Sequence, residues 1–96
     1  MNNAPFINQK RALSLMKSGA KLIDVRNPVQ YRDSHIDGSE NMSMRQLSQL
    51  IRLPRNTPLI FRGESAQDGD LTLAVKHAFL YGFTSVFTIN GGEGWK

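Results

Sequence analysis

"KLIDVRNPVQYRDS", residues 21–34, decides how this chain reads. Its first five residues are a short apolar run of the kind found in a parallel sheet covered on both faces, and Pro28 then opens a helical stretch as a first-turn proline does. Upstream, "PFI" (5–7) reads as a short strand. Asn8 is a good N-cap for "QKRALSLMKS", whose Ala12, Leu15 and Met16 line one helical face, and Gly19 suits its exit. Downstream, "HIDGSENM" (35–42) reads as a turn and a short strand, and Ser43 can cap a helix over "MRQLSQLI". Pro54 and Pro58 then bracket a loop. "LIF" (59–61) is a buried strand, Asp70 caps "LTLAVKHAFLY", Gly82 ends that helix, and "SVFTI" (85–89) is the last strand. Strands alternating with helices predict an α/β fold, with a mostly parallel sheet, helices on both faces and right-handed crossovers. One domain over 1–96 accommodates all of it.

Composition narrows the function. The 96 residues contain no cysteine, which removes structural disulfides, thiolate metal sites and every thiol mechanism from this chain. A formal net charge of +4 permits attraction to an anionic partner. However, Lys10, Arg11, Lys17, Lys21, Arg45, Arg52 and Arg55 are spread over several segments without interleaved aromatics, which argues for a solvated basic surface and against a nucleic-acid platform. No apolar run is long enough to span a membrane, and the first twenty residues are amphipathic with no secretory core, so a cytoplasmic location is expected.

In open parallel sheets ligands bind beyond the carboxyl ends of the strands, which selects Asp24 to Asn27, Arg62 to Asp70 and Asn90 to Trp95. The middle segment runs into a helix start, where backbone N–H groups can cradle an anion. It comprises Arg62, Gly63, Glu64, Ser65, Ala66, Gln67, Asp68, Gly69 and Asp70, so one arginine stands against three carboxylates. Acidic groups at a helix N-terminus satisfy its free N–H groups and compete with an incoming sulfate, thiosulfate or phosphate. A small anion is therefore disfavoured as a ligand.

"LIDVRNPVQYRDSHIDGSENM" (22–42) resembles the first signature of rhodanese-homology domains, in which an L-I-D-V-R strand leads through a proline-started helix to G-H-I-x-G-A-x-N. "GFTSVFTINGGEGW" (82–95) resembles their closing segment, G-F-x-x-V-x-x-L-x-G-G followed by tryptophan. The resemblance covers nearly the whole chain. It implies a five-stranded parallel sheet and a relation to sulfurtransferases that carry a persulfide on a cysteine; related domains act as phosphatases or as non-catalytic modules.

The family's cysteine follows a strand that corresponds here to "LIF". Aligned from that strand, its position falls on Arg62 or Gly63; aligned backward from Gly82, it falls near Ser65. Neither gives a cysteine. Persulfide chemistry needs a polarizable thiolate, and a serine would need a base in contact, while His35 and His77 lie in segments that read as structural. Asp24 and Arg26 read as a pair holding neighbouring loops together. Arg62 reads either as an anion anchor or as the surface partner of Glu64 or Asp68. Gly91 and Gly92 suit a tight turn beside the loop, with Trp95 packed on the domain. Asp68 and Asp70 without a histidine make at most half a metal site, and neither metal nor cofactor is expected.

Three readings follow. The preferred one is a rhodanese-homology domain without catalysis, a binding or regulatory module for a protein partner or a fused domain. The second is a residual enzyme, sulfurtransferase-related or hydrolytic, acting through Ser65 or Arg62. The third is a basic nucleic-acid or acidic-partner binder, whose affinity would fall steeply with salt.

Overall fold

A computed structural model describes residues 4–64 and 69–89. Five strands, β1 (Phe6–Ile7), β2 (Lys21–Asp24), β3 (Glu40–Asn41), β4 (Leu59–Arg62) and β5 (Val86–Ile89), form one sheet in the order β1-β5-β4-β2-β3. Every pairing is parallel. The helices are α1 (Gln9–Lys17), α2 (Pro28–Asp33) and α3 (Gly69–Leu80), with a 3-10 helix over Met44–Arg52. The α/β class and the parallel five-stranded sheet expected from the sequence are what the chain forms.

Local chemistry sets the boundaries. Asn8 Oδ1 accepts from the Arg11 N–H at 2.8 Å, and Asn27 Oδ1 caps α2 by accepting from the Gln30 N–H at 2.9 Å, with Pro28 behind it in the first turn. Helix α3 ends where Gly82, at φ 100°, lets the Phe83 N–H turn back to the Ala78 carbonyl at 3.1 Å.

Two apolar clusters cover the two faces. Ile23, Leu59, Phe61 and Val86 meet Ala74 and Ala78 of α3 and Leu47 and Leu50 of the 3-10 helix; on the other face Leu22, Ile60 and Ile89 meet Ala12 of α1 and Ile36. The alternation is that of strands buried on both sides. Full burial of an aliphatic or aromatic side chain contributes roughly 1.5–3 kcal/mol, and Phe61 and Phe83 are the largest side chains so placed.

Three expectations change. The stretch after Ser43 is a 3-10 helix instead of an ordinary helix. Met44, Leu47, Leu50 and the following Leu53 recur every third position, which is the 3-10 period and puts them in one line against the core, while Ile51 lies off that line and is exposed. Helix α3 starts at Gly69, so Asp70 stands in its first turn and not at the cap; a carboxylate there still faces the positive end of the helix dipole. Strand β4 runs one residue past "LIF" and takes Arg62 into the sheet, opposite Asp24 in register.

Candidate functional site

The strand ends nearest the predicted loop are held by one buried carboxylate. On the face that begins with Leu22 and Ile60, the next inward positions are Asp24 on β2 and Arg62 on β4, so the last rung of an apolar ladder is a charged pair. Asp24 is fully buried. Its Oδ1 accepts from the Arg26 backbone N–H at 2.9 Å and from Arg26 Nε at 3.1 Å; its Oδ2 accepts from Arg26 Nη2 at 2.9 Å and from Arg62 Nη1 at 3.4 Å. Two guanidinium groups thus converge on one carboxylate, one of them in the bidentate geometry that suits arginine.

The same atoms tie neighbouring segments together. Arg26 Nη2 also donates to the Ser34 carbonyl at 2.6 Å, fastening the end of α2. Asn41 Nδ2 donates to the carbonyls of Asp24 and Arg26, both at 2.9 Å, so that β3 straps the exit of β2. Across the opening, Gln30 Nε2 of α2 donates to Glu64 Oε1, linking α2 to the start of the loop after β4. Asp24 and Arg26 form an ion pair at 2.9 Å, with Arg26 mostly covered.

Arg62 is the main departure from the sequence reading. It is only 6% exposed, so it is neither a loop residue nor a surface ion-pair partner. The strand's alternation turns its side chain onto the face where Asp24 already lies. Burial, and then the nearby Arg26 guanidinium, pull the Arg62 side chain below the ordinary arginine value, against the opposing pull of Asp24. Arginine nevertheless remains cationic at neutral pH. Gly63 is buried beside it and Glu64 is exposed. Ser65, Ala66, Gln67, Asp68, Gly91, Gly92 and Trp95 lie outside the described residues.

Sequence reasoning missed Gln30 and Asn41. Asn41 carried a signal, since it is the asparagine of the H-I-x-G-x-x-N segment; Gln30 carried none, because its partner is 34 residues away. Among the described residues, no group of three or more His, Cys, Asp or Glu is placed to hold a metal ion, and no helix is long and apolar enough to cross a membrane.

Comparison with known proteins matches this architecture. The profile of the rhodanese-like domain covers residues 8–96. The thiosulfate sulfurtransferase GlpE of Pseudomonas fluorescens is 30% identical over 101 aligned residues, spanning 100% of this chain and 88% of that protein. Among solved structures, the Alr3790 protein of Anabaena sp. superposes with a TM-score of 0.76 over 94% of this chain and 88% of that one, at 22% identity. The single-domain sulfurtransferase RDL2 of Saccharomyces cerevisiae gives 0.71 over 94% and 85%, at 18% identity. The chain belongs to the rhodanese-like domain family. Its sequence relatives are thiosulfate sulfurtransferases, and it has none of the cysteine on which persulfide transfer depends.

Proposed function

We propose that this chain is a rhodanese-like domain that has left sulfur transfer and serves as a non-catalytic binding or regulatory module for a protein partner. The observation that carries the reading is what stands after the strand where the family's cysteine belongs. Strand β4 ends in Arg62, buried against Asp24, Gly63 follows, and no residue of the chain supplies a thiolate. An arginine cannot attack a sulfane sulfur or hold it as a persulfide. Glu64 and Asp70, flanking the loop, add negative charge where thiosulfate would have to approach. The cytoplasmic location expected from the sequence belongs to the same reading.

The test is an assay of sulfur transfer from thiosulfate to cyanide with the purified chain, paired with intact mass after thiosulfate treatment. No turnover above the uncatalysed rate and no added sulfur are expected. Turnover abolished by Ser65→Ala or by Arg62→Met would establish a residual enzyme and end this reading.

A further inference from the structure

At the edge of the sheet, away from the strand ends, β3 pairs with β2 through only two residues, and a hollow of about 180 Å³ opens between that edge and the 3-10 helix. Its floor is apolar: Ile23, Met42 and Leu50 are buried core residues, and Leu53 packs half-buried beside them. Its rim is polar: Lys21, Glu40, Gln49 and Arg52, all exposed. No ion pair or hydrogen bond joins any of these four side chains to another described residue. An apolar floor ringed by unspent donors and charges is how a recognition site is built: the floor supplies burial, and the rim fixes orientation.

Size selects the occupant. Small-molecule sites typically enclose roughly 300–1,000 Å³ and cover most of the ligand, whereas this hollow is smaller and half-open. It fits one large apolar side chain inserted as an anchor from a partner's surface. The rim carries two cations against one carboxylate, and the chain as a whole is at +4, so carboxylates flanking that anchor are attracted and a basic flank is repelled.

We propose that this hollow is the docking site for a protein segment presenting one aliphatic side chain flanked by acidic residues, with Lys21 and Arg52 receiving the carboxylates. The proposal rests on the reading of the domain as a binding module and names the surface that binds.

The experiment is a titration of isotopically labelled protein with the blocked pentapeptide Ser-Glu-Leu-Glu-Ser, followed by amide NMR shifts, with Ser-Lys-Leu-Lys-Ser as control. Saturable shifts at Lys21, Ile23, Glu40 and Leu50 are expected with the acidic peptide alone. Affinity should fall at least tenfold in the double variant Lys21→Glu with Arg52→Glu, whose urea midpoint should match the parent because both side chains are exposed. The absence of saturable shifts, equal response to the lysine peptide, or indifference to charge reversal would each overturn the proposal. Hexanoate binding as tightly as the peptide would make the hollow a small-molecule site. The same shifts on raising the protein concentration alone would make its occupant a second copy. The outcome is separable from the reading it rests on. A silent peptide with no sulfur transfer removes only the hollow; sulfur transfer with a binding peptide removes only the non-catalytic reading.

Discussion

Two places in this molecule contain the same formal charges, two cations and one carboxylate, and treat them in opposite ways. At the strand ends, Arg26 and Arg62 close on Asp24, a fully buried carboxylate, and the cluster is spent on holding β2, β4, α2 and β3 in place. At the sheet edge, Lys21, Arg52 and Glu40 ring a hollow, exposed and unengaged with one another. Charge count therefore says little about function; what matters is whether charges are already satisfied by the chain. At the strand ends the charges are paired within the chain, and at the edge they are exposed.

The largest predicted effect strikes the first region. Asp24→Ala leaves two guanidinium groups without their carboxylate in a buried setting, and should cost about 3–5 kcal/mol in urea unfolding. The matching change at the edge, Glu40→Ala, should stay within about 0.5 kcal/mol, as exposed substitutions generally do. At the low end of ordinary domain stability, about 5 kcal/mol, the first variant stands near unfolding at ambient temperature, while the second is indistinguishable from the parent. Equal costs at the two sites would break the comparison.

A double-mutant cycle sharpens it. Asp24→Ala combined with Arg62→Met should show a coupling of about 1–3 kcal/mol, because the two side chains share a network. Lys21→Ala with Glu40→Ala should be additive within about 0.5 kcal/mol. Arg62→Met alone should cost less than Asp24→Ala, since Asp24 keeps its bidentate partner Arg26. A cost for Arg62→Met equal to that of Asp24→Ala would mean that Arg62, and not Arg26, is the principal counter-charge.

The strap on the first region is next in size. Asn41→Ala removes two hydrogen bonds from one amide to the carbonyls of Asp24 and Arg26, and should cost about 1–2 kcal/mol at roughly 1 kcal/mol each. Hydrogen exchange should quicken at the β2 exit before it does in α3, because the loss is local to that junction.

Which parts of this were legible in the sequence follows from range. Asn8, Pro28, Gly19 and Gly82 act on neighbours within five residues, so the helix boundaries could be read directly, and the apolar runs 21–25 and 59–61 gave the central strands. The three-residue spacing of Met44, Leu47, Leu50 and Leu53 is also local, but over so few turns it resembles the period of about 3.6 residues of an ordinary helix. Arg62 depends on a distant partner. A charged residue after an apolar run reads as a loop unless its counter-charge is known, and that counter-charge lies 38 residues away. The hollow was invisible for the same reason, since Lys21, Glu40 and Arg52 become neighbours only when β3 and the 3-10 helix fold against β2. The family signatures locate the strand ends, where the sulfurtransferase chemistry would be, and carry no information about that edge.

The smallest stability effect tests the second region most directly. Lys21→Glu and Arg52→Glu should each move the urea midpoint by less than the equivalent of about 0.5 kcal/mol, because neither side chain gives up a bond within the described chain. A fall of more than about 1 kcal/mol would show that these cations do serve the fold, and the contrast between the two regions would disappear. If stability is untouched, raising salt should weaken a flanking-acid segment at the parent hollow, since its rim charges are exposed and mobile ions screen exposed charges. Reversing both charges should invert the sign of that salt dependence while leaving the apolar floor of Ile23, Met42 and Leu50 as it is. A change of sign without a change of stability requires that the rim charges act on a partner and not on the fold.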